Sequence, residues 1–377
     1  MKPSDQYRLG SLTEQVTALL KDLIRQPSFS REEDPTATII ERFLEKQGIT
    51  AMRSRNNVWA VHPGYDPAKP TLLLNSHHDT VKPNPQYTKD PFEPIVEEGR
   101  LYGLGSNDAG GPLVCLIAAF LYYYHEPLPW NLVLAATAEE EISGFNGIEA
   151  LLKDPAFLAS VQLEAGTDFN NWSAIVGEPT QMELAVSEKG LLVLDCIARG
   201  KAGHAAREEG INAIYLAIDD INWFRHFRFE KISETLGPVK MSVTVMQTEN
   251  KAHNVVPAEC SFTVDIRVTD AYTHEEILER VSAAVSCEVK PRSMRMRATG
   301  IGLQHPLVAS GIALGRGYYG SPTCSDKALM PFPALKCGPG DSARSHSADE
   351  YIFLQEIAEG VRGYVELIAG AADGVAL

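Results

Sequence analysis

Residues 71–81 read TLLLNSHHDTV, an apolar run followed at once by two histidines and an aspartate. The consecutive leucines favour a strand that is buried on both faces, as in a parallel sheet covered by helices. Similar apolar runs at 132–137 and 174–177 are separated from it by helix-like segments. This alternation of strands and helices predicts an α/β fold with a mainly parallel sheet.

The pattern changes after Glu178, where the strand-like runs alternate apolar and polar residues. We predict that residues 184–290 form a smaller α/β sandwich inserted into a first domain made of residues 1–183 and 291–377. Near the N-terminus, Ser11 and Glu14 have the spacing of a capping box and predict the start of the first helix there. Within the inserted region, the sequence pattern predicts strands at 191–199, 240–247 and 260–268 and helices at 212–227 and 273–285.

Composition excludes several classes of protein. The chain has 377 residues, a formal net charge of −15 and no run of Lys or Arg, which argues against a nucleic-acid-binding surface. No apolar stretch reaches the roughly 20 residues of a membrane span, and the N-terminus lacks the pattern of a secretory signal. The six cysteines form no Cys-x-x-Cys pair, so a cytoplasmic enzyme with reduced thiols is expected.

Histidines and carboxylates follow several of the strand-like runs. Because the carboxyl ends of parallel strands meet at one edge of a sheet, these side chains are expected to converge and form a metal site. Asp79 shares a face of extended chain with His77 and is expected to hold the far ring nitrogen of that histidine. Taken alone, each residue also fits an ordinary turn or a solvated acidic loop, and spacing does not say which glutamate binds metal. The candidates are His77, Asp108, the triplet Glu139–Glu141, Glu178 and His346.

Taken in order, these segments resemble a family of metallopeptidases that act with two zinc ions. The family includes acetylornithine deacetylase, succinyl-diaminopimelate desuccinylase, aminoacylases and carboxypeptidases, and the likeness runs from the PSFS segment at 27–30 to His346. The resemblance implies that His77 and Glu178 hold one Zn²⁺, that Glu141 and His346 hold the other, and that Asp108 bridges both. It also makes Glu140 the general base, with Co²⁺ or Mn²⁺ as substitutes for zinc.

The chemistry implied by this resemblance is hydrolysis of a linear amide. Two metals polarise the carbonyl and lower the pKa of a water, and a carboxylate beside them moves the proton to the leaving amine. The sequences of these motifs most resemble those of the acetylornithine deacetylase branch, which implies N-acetylornithine deacetylation in arginine biosynthesis. The alternatives are deacylation of N-acetyl- or N-succinylcitrulline, succinyl-diaminopimelate desuccinylation, a dipeptidase, or a non-catalytic metal-binding relative.

Two segments of the inserted domain extend the resemblance. GKAGHAAREEGINAI contains His204, whose family counterpart reaches the active site of a partner subunit and stabilises the oxyanion. NVVPAECSFTVDIR contains Asn254 and Arg267, whose counterparts recognise a small N-acyl amino acid substrate. A homodimer formed through the inserted domain is therefore expected. The chain departs from the family at Ala109-Gly110-Gly111, where many relatives have Met-Lys-Gly.

Overall fold

The computed structural model describes residues 3–166 and 168–373, and the elements below are those of the described residues. The helices are α1 (Pro3–Ile24), α2 (Asp34–Lys46), α3 (Gly111–Tyr123), α4 (Ile148–Leu151), α5 (Pro155–Ser160), α6 (Ala213–His226), α7 (His274–Ala284), α8 (Pro306–Ala313) and α9 (Leu354–Asp373). The strands are β1 (Met52–Ser54), β2 (Asn57–Val61), β3 (Thr71–His77), β4 (Ile95–Glu97), β5 (Arg100–Tyr102), β6 (Asn131–Thr137), β7 (Trp172–Val176), β8 (Leu184–Glu188), β9 (Gly190–Arg199), β10 (Gly203–His204), β11 (Lys240–Gln247), β12 (Val255–Val256), β13 (Glu259–Val268), β14 (Glu288–Pro291), β15 (Thr299–Gly300), β16 (Tyr318–Ser321), β17 (Ala334–Lys336) and β18 (Tyr351–Phe353).

The central sheet is mostly parallel, which confirms the predicted fold class. Its order begins β1-β2-β6-β3-β7-β17-β8. Strands β6, β3, β7 and β17 pair with one another in parallel. Strands β1 and β2 on one side and β8 on the other pair antiparallel. The register places His77 opposite Thr137, so β3 and β6 end at the same edge.

Strand β3 is buried on both faces, because successive side chains of a strand point in opposite directions. Leu72 and Leu74 pack into a core with the helices α1, α3 and α9. Leu73 points the other way and packs into a second core, which contains Trp59 and Phe157. The three leucines have no solvent-accessible surface, so the strand is held from both sides.

The first helix starts earlier than the sequence predicts. Ser11 lies inside α1, which begins at Pro3, so the predicted capping box at Ser11 is wrong. Leu9 and Leu12 are buried and extend the apolar face of the helix toward the N-terminus. The Ser11 hydroxyl accepts a hydrogen bond from the Gln15 side chain, an interaction between neighbouring turns of the helix.

The chain divides into two compact units. The first comprises Met1–Val186, Gly300–Tyr319 and Ser325–Leu377, and the second comprises Ser187–Thr299 and Gly320–Cys324. These bounds differ from the predicted 184–290 because the chain after β14 stays on the second unit's sheet. Arg292 N donates to Val193 O, and Leu191 N donates to Met296 O.

The second unit has its own core. Its four-stranded antiparallel sheet has the order β11-β13-β9-β14, and alternate residues of β9 and β13 are buried. Helices α6 and α7 contribute Phe224 and Val281 to this core. Among the described residues, no helix is both long enough and apolar enough to cross a membrane.

The stability of the second unit should depend on Phe224, which is 1% exposed, and not on Tyr215 of the same helix, which is 67% exposed. Phe224→Ala should lower the free energy of unfolding by about 3–5 kcal/mol, because it leaves a cavity in the core. Tyr215→Ala, the matched control, should change it by less than about 0.5 kcal/mol. Equilibrium urea unfolding followed by circular dichroism measures both, and equal transition midpoints for the two variants would contradict this assignment of the core.

Candidate metal centre

Side chains from five separate parts of the chain converge at the carboxyl edge of the parallel strands. His77 ends β3, Glu141 follows β6, and Glu178 follows β7. Asp108 lies in the irregular turn Ser106–Gly110 that leads into α3, and His346 lies in the loop after β17. Parallel pairing of β6, β3 and β7 brings three of these segments together.

The five side chains form two groups that share one carboxylate. In the first group, His77, Asp108 and Glu178 each offer a ligand atom, and these atoms lie within 4.8 Å of one another. In the second, Asp108, Glu141 and His346 do the same. Histidine nitrogens combined with carboxylate oxygens are donors that suit zinc.

The ring of His77 is oriented for binding a cation. Its Nδ1 donates to the backbone oxygen of Asp79 at 3.0 Å, so in the neutral ring the lone pair lies on Nε2. Nε2 is buried and has no hydrogen-bond partner. Carboxylate oxygens of Asp108, Glu178 and Glu140 lie 3.4, 3.8 and 3.9 Å from it. A buried acceptor nitrogen facing three carboxylates fits a divalent cation.

The electrostatics of the cluster favour bound positive charge. Burial raises the pKa of Glu140 well above its usual value, and the nearby Glu178 and Glu141 add to this effect. Burial lowers the pKa of His77, but Asp108 and Asp79 outweigh it and raise that pKa well above its usual value. Hydrogen bonding to Glu141 raises the pKa of His346 to about 9. A bound cation would counteract the raised pKa of Glu140, since opposite charge nearby favours an ionised carboxylate.

Asp79 lies at the Nδ1 nitrogen of His77, and it has other partners as well. Its carboxylate is 3.4 Å from His77 Nδ1, and the shorter hydrogen bond of that nitrogen goes to the Asp79 backbone. The carboxylate also accepts from the backbone amides of Glu140 and Glu141 at 3.0 and 3.2 Å and from the Ser30 hydroxyl at 2.7 Å. Asp79 thus fixes both His77 and the loop that presents the two glutamates.

The three consecutive glutamates point in different directions. Glu141 joins the second ligand group, and its carboxylate contacts His346 Nε2 at 3.0 Å. Glu140 lies beside His77 but belongs to neither group. Glu139 has a positive φ of 56°, and its carboxylate binds the side chain and the backbone amide of Asn146. The spacing of the three residues in the sequence does not predict this division.

Buried carboxylates that the sequence analysis missed support the site. Glu33 accepts from the backbone amides of Arg31 and Glu139. Asp326 accepts from the hydroxyl of Thr137, at the end of β6, and burial raises the pKa of Asp326 to about 6. Glu350 also contacts the backbone of the turn that carries Asp108. Each of the three has a partner far away in sequence, so no local motif marks it.

The turn after Asp108 has no room for the lysine of many relatives. Ala109 is 1% exposed. A Cβ atom on Gly110 would lie 2.4 Å from the backbone oxygen of Gly105, and one on Gly111 would lie 2.3 Å from the Ile352 side chain. Close packing against the backbone therefore requires glycine at position 110, whereas at position 111 the shortest contact is with the end of a side chain.

The second unit contains the three predicted site residues His204, Asn254 and Arg267, and they do not all lie together. His204 and Asn254 lie near each other, since Ala205 N donates to Asn254 O and β10 pairs with β12. Arg267 lies near the other end of β13, about 27 Å along the strand from Glu259. Its guanidinium is paired with Asp265 on the same strand. One copy of this unit therefore holds Arg267 apart from the His204 region.

Comparison with known proteins first defines the fold. The structure is similar to that of a Bacillus subtilis protein described as a dinuclear metal binding peptidase from the M20 family, with a TM-score of 0.70. The match covers 97% of this chain and 100% of that one at 14% identity, so it shows the fold.

Sequence comparison then shows the family. The profile of Peptidase family M20/M25/M40 matches residues 73–370, and the chain belongs to this family of metallo-hydrolases. A succinyl-diaminopimelate desuccinylase of Cereibacter sphaeroides is 30% identical over 72% of this chain and 73% of its own length. A probable carboxypeptidase of Emericella nidulans is 29% identical over 95% of this chain and 90% of its own length. The predicted family is confirmed.

The support that Asp79 gives to this centre can be tested by zinc binding. Asp79→Asn replaces an acceptor by a donor opposite the amides of Glu140 and Glu141, and zinc affinity should fall by about 10- to 100-fold. Asp154→Asn is the matched control, because Asp154 also accepts from two backbone amides and one serine hydroxyl, at the start of α5. Competition with a chelator of known affinity measures the change, and equal zinc affinities in the two variants would contradict the role of Asp79.

Proposed function

We propose that this protein is a two-metal amidohydrolase that cleaves the amide bond of a small N-acyl amino acid. One observation carries the proposal: two potential ligand groups share Asp108, and the carboxylate of Glu140 lies beside them without belonging to either. His77, Asp108 and Glu178 would hold one cation, and Asp108, Glu141 and His346 would hold the other. Zinc is the proposed metal, since its usual ligands are these residue types.

When bound, the two cations supply Lewis acidity toward the amide carbonyl and lower the pKa of a water molecule. Glu140 is the proposed general base, because its carboxylate lies close to the metal ligands and belongs to neither ligand group. It accepts a proton from the attacking water and returns it to the leaving amine. Asp79 holds the amide of Glu140, so the base is carried on a fixed backbone.

The substrate is proposed from resemblance, and two alternatives have different support. The sequences of the motifs favour N-acetylornithine as the substrate and thus a step of arginine biosynthesis. N-acetyl- or N-succinylcitrulline are close variants of this substrate. The name of the similar Cereibacter protein favours N-succinyl-diaminopimelate instead. The likeness to a probable carboxypeptidase favours a short peptide. All these compounds have an amide next to a free carboxylate, and this shared element defines the proposed substrate class.

His204, Asn254 and Arg267 are proposed to complete the site in a homodimer formed through the second unit. An imidazole such as that of His204 stabilises a developing oxyanion by donating a hydrogen bond. Arg267 suits a substrate carboxylate because its planar guanidinium binds both oxygens. Since one copy holds Arg267 and His204 apart, we propose that the two residues contact a given substrate from different copies. We further propose that the enzyme acts in the cytoplasm.

Glu140→Gln tests the general base. The zinc-loaded variant should lose at least about 100-fold in kcat, because an amide accepts no proton from water at neutral pH. Its metal content should match that of the parent protein. Glu139→Gln is the matched control, since the Glu139 carboxylate binds Asn146 and belongs to neither ligand group. A zinc-loaded Glu140→Gln protein that retains turnover would rule out this role.

A substrate panel tests the proposed reaction. Zinc-loaded protein should release free amine from at least one of N-acetylornithine, N-acetylcitrulline, N-succinylcitrulline, N-succinyl-diaminopimelate and a dipeptide. A chelator should abolish the release, since the cations activate both water and carbonyl. The Glu140→Gln protein, purified in the same way, controls for contaminating hydrolases. If no compound is hydrolysed by the zinc-loaded parent protein, the proposed substrate class is wrong.

A further inference from the structure

Glu350 is a buried carboxylate that lies between two ligand-bearing segments. It is 2% exposed and follows His346 by four residues. We call residues 103–110 the Asp108 turn and residues 341–350 the His346 loop. Glu350 ends the loop, yet its side chain binds the turn.

Four backbone amides of the Asp108 turn donate to this one residue. The carboxylate oxygens accept from Gly105 N at 3.1 Å, Asn107 N at 2.8 Å and Asp108 N at 2.9 Å. The backbone oxygen of Glu350 accepts from Gly103 N at 3.0 Å. An ionised carboxylate is suited to this arrangement because it accepts hydrogen bonds at both oxygens and donates none.

Asn107 joins the same two segments at a second place. Its side-chain amide donates to Asp341 O at 3.0 Å and accepts from Asp341 N at 3.0 Å. The Asp108 turn and the His346 loop are therefore connected near both ends of the loop. Asp108 Oδ2 and His346 Nε2, one from each segment, lie 3.7 Å apart.

The two ligand groups depend on this connection to different degrees. His77 and Glu178 come from the neighbouring parallel strands β3 and β7, whose pairing fixes them without Glu350. Glu141 is held through its amide by Asp79. His346 is 55% exposed, and its distance from Asp108 depends on how the loop sits against the turn.

We propose that Glu350 is a positioning residue that sets His346 against Asp108 and so maintains the second of the two metal positions. The inference rests on the proposed two-metal function. Glu350 touches no ligand atom, and it acts through the backbone of the Asp108 turn. Its loss should therefore weaken the position formed by Asp108, Glu141 and His346 more than the position formed by His77, Asp108 and Glu178.

Glu350→Gln is the direct test, because its amide group turns one acceptor into a donor facing backbone N–H groups. Asp349→Asn is the matched control from the adjacent position. The Asp349 carboxylate also accepts three hydrogen bonds, from Thr88 N, Thr88 Oγ1 and Lys89 N, but none from the Asp108 turn. Both variants are made in the full chain and stripped of metal before titration.

Calorimetric titration with Zn²⁺ and visible absorption during titration with Co²⁺ count and distinguish the bound metals. The parent protein and Asp349→Asn should bind two equivalents with similar affinities. Glu350→Gln should bind one equivalent with near-parental affinity, while the affinity of the other falls by about 10- to 100-fold. At Co²⁺ concentrations that fill both sites of the parent protein, the absorption spectrum of the variant should then show only one occupied site.

Each other result argues against the proposal. Two equivalents bound with parental affinity by Glu350→Gln, or equal weakening of both, would overturn it. An equal loss in Asp349→Asn would show a general effect of the loop. If Glu350→Gln does not fold, as judged by circular dichroism, Glu350→Asp takes its place, and failure of both would make the residue purely structural. A parent protein that binds fewer than two equivalents would instead contradict the two-metal function itself.

Discussion

The central constraint in this structure is the burial of β3 on both of its faces. Leu72 and Leu74 are fixed by one core and Leu73 by another, so the strand has no freedom to slip or rotate. A shift of one residue would exchange the two faces, and each leucine would lose the partners against which it packs. Because β6 and β7 pair with β3 in fixed register, the positions of the residues after all three strands follow from this packing.

Backbone amides do much of the positioning around the ligands. Asp79, Glu33 and Glu350 each use a carboxylate to bind amides of a segment far away in sequence. Such bonds hold a loop in place without using the side chains that the loop presents. A carboxylate at each of these positions also avoids the unpaired amides that buried irregular backbone would otherwise leave.

The sequence predicted those parts of the protein that have a local signature. The strands around Leu73 are apolar runs and His77 lies at the end of one of them, so both are accessible from periodicity and composition. The contacts of Glu350 and the pairing of Arg267 with Asp265 were not, because they depend on which segments meet in three dimensions. The start of α1 was misplaced because Ser11 has the residue type of a cap while the apolar face of the helix extends beyond it to Leu9.

The position of β17 has a consequence for the order in which the protein is made. This strand, Ala334–Lys336, lies between β7 and β8 in the sheet, although the chain reaches β8 some 150 residues earlier. The first ligand group is complete once Glu178 has been synthesised, whereas the second waits for His346. Strand β17 can take its place next to β7 only after nearly all of the chain has been translated. The two halves of the metal centre thus belong to different stages of biosynthesis.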